Sequence, residues 1–200
     1  MGAPAATPLL LAGGYLAGTF PTAVLVARSR GRDVTAEGSG NPGATNVYRI
    51  AGRGAAITVF VIDAAKGALV FLVAIALVSR GWALAAGAGA VVGHCFPVTR
   101  GFRGGKGVAT AAGFLMVAEP PVGLAAPVVW FVLLKLTGRA SVGSIVVAAG
   151  APLAVLAWRG PHADAAAVAA LAILVIARHA TNIARLARGE EGAIRGRRSQ

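Results

Sequence analysis

The sequence predicts an all-α integral membrane protein of about seven transmembrane helices, N-terminus outside and C-terminus cytoplasmic. Three observations predict it. Of the 200 residues 56% are apolar and only 13% charged, with a mean hydropathy of +0.73. A soluble domain of this size has too little interior to hide that much apolar surface. The apolar residues also run in uncharged stretches of helical, membrane-crossing length. Finally, all but three of the 19 Lys and Arg residues fall in alternate connections between those stretches, an asymmetry that marks cytoplasmic loops.

The elements follow in order. Pro8 to Ala27 is an uncharged first span, and Gly14 and Gly18, four apart, let another helix approach closely. Arg28, Arg30 and Arg32 close it, and a polar, glycine-rich loop is expected as far as Gly54. Ala55 to Val78 is the second span. It carries Asp63 and Lys66 on one face, a spacing that suits an internal ion pair or a place at the floor of a site. Trp82 to Cys95 is the third. Gly107 to Ala118 is short for a full crossing and reads either as a span that borrows the preceding loop or as a re-entrant segment. Pro120 and Pro121 end it. Val122 to Leu136 follows, then a helix capped by Ser141 and running to Trp158, then Ala165 to Ala177. Residues 1–194 make one polytopic domain, and the basic stretch 195–200 is expected to be a disordered tail.

Several classes are excluded. The basic residues are clustered between apolar runs, without interleaved aromatics, so nucleic acid is not an expected partner. Cys95 is the only cysteine, and with His94 it lacks further ligands at metal spacing. Neither a metal nor a cofactor is expected. The start of the chain has no basic n-region, and Ala6 stands where myristoylation needs Ser or Thr.

With the N-terminus outside, three polar motifs share the cytoplasmic face. The first, Gly38 to Arg49, is GSGNPGATNVYR. It matches a dinucleotide fingerprint only formally, because no βαβ unit surrounds it. Ser39, Asn41, Thr45 and Asn46 offer short hydrogen-bonding groups there, Gly40 a backbone N–H, and Arg49 a fork for phosphate. The second, His94 to Thr110, is HCFPVTRGFRGGKGVAT. Arg103 and Lys106, set among Gly104, Gly105 and Gly107, describe an anion pocket of cations and backbone N–H groups, although the pattern is not a Walker loop. The third begins at Arg178, RHATNIARLARGEE. His179 and Asn182 share a helical face with Arg185 nearby, and an imidazole is suited to handle a hydroxyl proton near neutral pH. Glu190 and Glu191 are placed to hold a basic loop residue.

These three motifs in this order, with the Asp63-Ala-Ala-Lys66-Gly67 segment, resemble the bacterial membrane family of acyl-phosphate:glycerol-3-phosphate acyltransferases over nearly the whole chain. Thr99 and Arg100 depart from the family's more apolar pattern. The resemblance implies a seven-helix enzyme of the bacterial cell membrane, its active site facing the cytoplasm. Such an enzyme moves a fatty acyl group from acyl phosphate to the sn-1 hydroxyl of glycerol 3-phosphate. The products are 1-acyl-glycerol 3-phosphate and phosphate, in the first step of phospholipid biosynthesis. Neither acyl-CoA nor acyl carrier protein is expected as direct donor. The resemblance assigns Ser39, Gly40, Asn41, Thr45, Asn46, Arg49, Arg103, Lys106 and Arg185 to phosphate binding. It assigns Gly104, Gly105 and Gly107 to close backbone approach at the reacting carbonyl, and His179, Asn182 and Lys106 to catalysis. Asp63, Lys66, His94 and Glu190 are expected to support the site. A membrane transporter or channel for a small phosphate-bearing anion is the alternative. It predicts inverted repeats, and the two halves show none.

Overall fold

The computed structural model describes residues 5–194, so the tail expected at 195–200 lies outside them. Among the described residues all regular structure is helical. The expected first span is divided into α1 (Thr7–Gly18) and α2 (Thr22–Arg28). The division falls at Pro21, which lacks an N–H and fixes φ. The polar stretch expected as loop to Gly54 is helical from Ala44. It opens α3 (Ala44–Leu77), which is interrupted only at Gly52, with φ 84° and ψ 179°. That conformation is open to glycine and strained for any other residue. The first part of α3 buries Val47 against Ala23, Ala27 and Val34, forming a small second core beside the main bundle.

Helices α4 (Arg80–Cys95), α5 (Val108–Ala118), α6 (Pro120–Thr137), α7 (Ala140–Arg159), α8 (Ala163–Arg178) and α9 (Ala180–Ala187) complete the chain, with a 3₁₀ turn at Val98–Arg100. Five stretches are long and apolar enough to cross a membrane: α1 with α2, α3, α4 with the 3₁₀ turn, α6 and α7. The α8–α9 pair, bent by 58°, makes a sixth. Helix α5 has 11 residues, about 16 Å of rise. Its ends nonetheless reach opposite ends of the bundle. Lys106, just before it, bonds Asn182, and Glu119, just after it, bonds Arg80 and Arg159. Leu69, Leu72, Val73 and Leu77 of α3 stand exposed, as do Leu124, Val128 and Leu136 of α6, an apolar exterior suited to lipid.

Missing side chains bring the helices together. A Cβ at Gly18 would strike the Ala90 carbonyl and one at Gly93 the Tyr15 carbonyl, so α1 and α4 touch backbone to backbone. Gly67 and Gly113 do the same for α3 and α5, against Thr110 and Ala64. Phe71 and Phe114 then meet edge to face at 5.6 Å.

Charge closes the end of the bundle remote from the motifs. Glu119, fully buried, accepts from Arg80 Nη2 at 2.8 Å and from Arg159 Nε at 2.7 Å, while Arg80 Nε donates to Asp164 Oδ1 at 2.6 Å. The ends of α4, α5, α7 and α8 are thereby joined. Removing one partner from a buried pair costs about 3–5 kcal/mol, and the partial exposure of both arginines places Glu119→Ala at the lower figure. A fall of several degrees in the unfolding midpoint in detergent is the expected result, and Glu119→Gln is expected to lose less.

Candidate active site

The three motifs meet at a cavity of about 490 Å³, within the range of small-molecule sites. One end is polar. Ser39, Asn41, Thr45 and Arg49 line it from the first motif, Lys106 and Gly107 from the second, and His179, Asn182 and Arg185 from the third. The remainder is an apolar groove whose walls include Phe60 of α3, Leu115 of α5, Phe131 of α6, Val147 of α7 and Leu171 of α8. Ile57, Phe60 and Phe131 line the groove and are also exposed, so it opens sideways between α3 and α6.

Lys106 is the centre of the polar end. Its Nζ donates to Asn182 Oδ1, and Asn182 Nδ2 donates to Glu191 Oε1 at 2.6 Å. Glu191 also accepts from Ser141 Oγ at 2.7 Å and from Arg185 Nε at 2.7 Å. Burial would raise its pKa, but the bonds from Arg185, Asn182 and Ser141 prevail and hold it below the usual carboxylate value. Burial lowers the Lys106 pKa to about 8; Arg185, Arg49 and Arg178 add to this, and Glu191 opposes it. The cationic head is thus deprived of water and under mutual repulsion, which an anion relieves.

His179 ends α8 and is almost fully buried, with Nδ1 2.7 Å from the Val175 carbonyl. A carbonyl only accepts, so Nδ1 carries the proton and Nε2 keeps a lone pair in the neutral ring.

The glycines of the second motif are used differently from expectation. Gly104 and Gly105 are buried outside the cavity lining. Gly105 N–H donates to the His94 carbonyl at 3.1 Å, and a Cβ on Gly105 would strike the His94 imidazole. Their carbonyls accept from Arg178, whose Nη2 lies 3.0 Å from Gly104 O and whose Nε lies 3.1 Å from Gly105 O, with its guanidinium over Phe96. These two glycines bed the loop on the end of α4 and so aim Lys106 at the cavity. Gly107, with φ 80°, does reach the lining and starts α5, whose first N–H groups have no acceptor within the helix. Arg103 is exposed and outside the lining.

Asn46 also lines the cavity, but its amide is engaged within the loop. Its Oδ1 accepts from Ser39 N at 2.8 Å, and its Nδ2 donates to Val34 O at 3.0 Å and Glu37 O at 2.9 Å. With those bonds it shapes the loop that carries Ser39, helped by Gly38 and Gly40 at positive φ. Asn46→Ala leaves one backbone N–H and two carbonyls without this partner. Its expected result is weaker binding of an anion at the cationic end of the cavity and faster proteolysis within residues 34–41.

Asp63 and Lys66 form the internal ion pair at 2.7 Å, and Lys66 Nζ donates as well to Phe20 O at 2.6 Å, across the α1–α2 break. His94 Nδ1 lies 3.8 Å from Asp63, and both residues line the cavity. Glu190 is exposed and pairs with Arg188 at 2.7 Å, so Glu191 is the acid that turns inward. Ser141 bonds Glu191 rather than capping α7. Sequence reasoning missed Arg178 and Ser141 as parts of this site; Arg178 heads the third motif without an assigned role, and nothing local marks Ser141. Among the described residues no group of three or more His, Cys, Asp or Glu is disposed to hold a metal.

Comparison with known proteins identifies the family. A family model described as glycerol-3-phosphate acyltransferase matches residues 8–189. A glycerol-3-phosphate acyltransferase of Jannaschia sp. (strain CCS1) is 44% identical over 181 residues, 90% of this chain and 89% of that protein. One from Rhodospirillum rubrum is 46% identical over 190 residues, 90% of this chain and 88% of that protein. The crystal structure of PlsY (YgiH), an integral membrane glycerol 3-phosphate acyltransferase, in its glycerol 3-phosphate form has a TM-score of 0.90 at 33% identity. It covers 94% of this chain and 95% of its own. The lysophosphatidic acid form scores 0.88 over the same shares. The apolar helices and these matches define a multi-pass membrane acyltransferase. The chain belongs to the glycerol-3-phosphate acyltransferase family.

Proposed function

We propose that this enzyme transfers a fatty acyl group from acyl phosphate to the sn-1 hydroxyl of glycerol 3-phosphate. The products are 1-acyl-glycerol 3-phosphate and orthophosphate. The observation that carries the reading is the single cavity with a cationic head and an apolar body, since one substrate is a small phosphate ester and the other a phosphate on an alkyl chain. Lys106, Arg49 and Arg185 hold phosphate oxygens at the head, with Ser39, Asn41 and Thr45 as neutral donors. The hydroxyl oxygen attacks the acyl carbon, and the bond from that carbon to the phosphate oxygen breaks. The electron pair leaves on phosphate. The hydroxyl proton ends there too, directly or through His179 Nε2. The first N–H groups of α5 stabilise the negative charge that develops on the carbonyl oxygen. Acyl phosphate, a mixed anhydride, is already activated, so neither acyl-CoA nor acyl carrier protein is needed as donor.

In this reading α1 with α2, then α3, α4, α5, α6, α7 and α8 make seven crossings of the bacterial inner membrane. The basic loops and the head of the cavity face the cytoplasm, which supplies glycerol 3-phosphate. The purified protein in micelles, given both substrates, should release orthophosphate and lysophosphatidate in equal amounts. No release from a folded sample would overturn the proposal.

A pH dependence follows from Lys106. A phosphate monoester is a dianion above about pH 6, and free Lys106 loses its proton near pH 8. The bound dianion favours the charged amine, so binding above pH 8 must take up a proton. The KM for glycerol 3-phosphate is expected to be flat from pH 7 to 8 and then to rise roughly tenfold per unit. Initial rates between pH 7 and 9.5 check this; a flat KM through that range contradicts it.

A further inference from the structure

We propose that Leu115, Ala126, Ala151 and Val168 form the floor of the apolar groove and set the length of acyl chain that the enzyme accepts. The inference rests on the acyl-transfer reading of the same cavity.

The four residues come from four helices, α5, α6, α7 and α8, and all line the cavity. Each is nonetheless buried, at 7%, 8%, 9% and 5% exposure, whereas Ile57, Phe60 and Phe131, higher on the groove, are 51%, 39% and 54% exposed. The cavity is therefore open to lipid along its flank and enclosed at its deep end. Two of the four are alanines, and their small side chains leave room between helices. Apolar room of that kind stays dry and is stabilised by an apolar occupant. An alkyl tail is the occupant that the cationic head and the apolar walls select together.

Depth follows from helical rise. Leu115 lies nine residues beyond Lys106 on α5, Ala151 ten beyond Ser141 on α7, and Val168 eleven before His179 on α8. At about 1.5 Å per residue these give roughly 14–17 Å from head to floor. An extended carbon chain advances about 1.2 Å per bond, as an extended backbone does over its three bonds per residue. The groove therefore takes a chain of roughly 13 to 15 carbons.

The floor is also fixed from behind. Glu119 is one turn past Leu115, and Asp164 is one turn before Val168. Both are held by Arg80, and Glu119 by Arg159 as well. A longer tail cannot push deeper without breaking that network.

The test is a competition. Purified full-length enzyme receives glycerol 3-phosphate and an equimolar mixture of saturated acyl phosphates from ten to eighteen carbons, and the lysophosphatidates are quantified by mass spectrometry. Ala151→Phe should shift the product ratio at least roughly tenfold toward the shorter chains, the factor expected when two methylenes lose their burial. Leu115→Ala should shift it toward the longer ones. Because the readout is a ratio within one sample, loss of folded protein cancels, and Leu115→Ala, which only removes atoms, stands alone if Ala151→Phe gives no enzyme. Unchanged ratios in Leu115→Ala overturn the floor. So does a shift that appears in Phe60→Ala while the floor variants stay silent, which places the end of the chain in surrounding lipid. If the wild type makes no product from any chain, the acyl-transfer reading itself falls; active wild type with unmoved ratios condemns the floor alone.

Discussion

Lys106→Ala should lower kcat/KM by at least about a hundredfold, the scale seen when one preorganised charge is removed from a water-poor site. Lys106 is held from three directions. The glycine loop beds on His94, Arg178 clamps its carbonyls, and Asn182 receives the ammonium. None of these partners can replace the charge. Lys106→Arg is not expected to restore activity, because a planar guanidinium does not fit a space shaped for an ammonium against Asn182. Steady-state rates with both substrates varied are the measurement, with circular dichroism as the control for folding. Activity within a few-fold of wild type would show that Lys106 carries no transition-state charge.

Glu191→Ala should nearly abolish turnover and also lower stability by about 3 kcal/mol, the cost of stripping one partner from a buried ionic cluster. Its carboxylate takes bonds from Ser141 on α7 and from Asn182 and Arg185 on α9, while its backbone carbonyl takes one from Arg139 Nε at 2.9 Å. Without it Asn182 is free to turn, and Lys106 loses its rest. Glu191→Gln keeps the shape and some of the acceptors and is expected to recover folding more than rate. Unfolding midpoints and turnover measured on both variants separate the two effects; equal recovery of both would assign Glu191 to the scaffold alone.

Much of the fold is legible in the sequence because lipid imposes a coarse rule, namely long uncharged runs that fold as apolar helices. Where that rule is silent, local chemistry misleads. The stretch before Gly54 is rich in Gly and Asn and reads as loop, yet Ala44 onward is helix, supported by a small core that forms only when Val34 and α2 fold back upon it. The break at Pro21 is visible as a proline, but its consequence depends on Lys66, distant in sequence, reaching the Phe20 carbonyl.

The site divides along the same line. Ser39, Arg49, Lys106 and Asn182 stand in dense motifs, and the fold brings them to one cavity. Arg103 sits in the same motif as Lys106 and faces away, since a composition pattern cannot tell which side of a turn a residue occupies. Glu190 and Glu191 are adjacent and chemically alike; only the course of the chain back to Gly138, where Ile194 N bonds its carbonyl at 2.8 Å, decides which one turns inward. The motif glycines suggested ligand contact, but Gly104 and Gly105 serve packing, because His94 occupies the space their absent side chains leave.

The sideways opening between α3 and α6 has a kinetic consequence. An enzyme that meets one reactant through its flank and the other through its head samples them in different units, molecules per area of membrane and molecules per volume of water. Its rate should follow the mole fraction of donor within the bilayer or micelle. Added inert detergent should therefore slow it even when every bulk concentration is held constant. Its two products also part into different phases, so the reverse reaction must wait for a lipid and an ion to meet again at one small mouth.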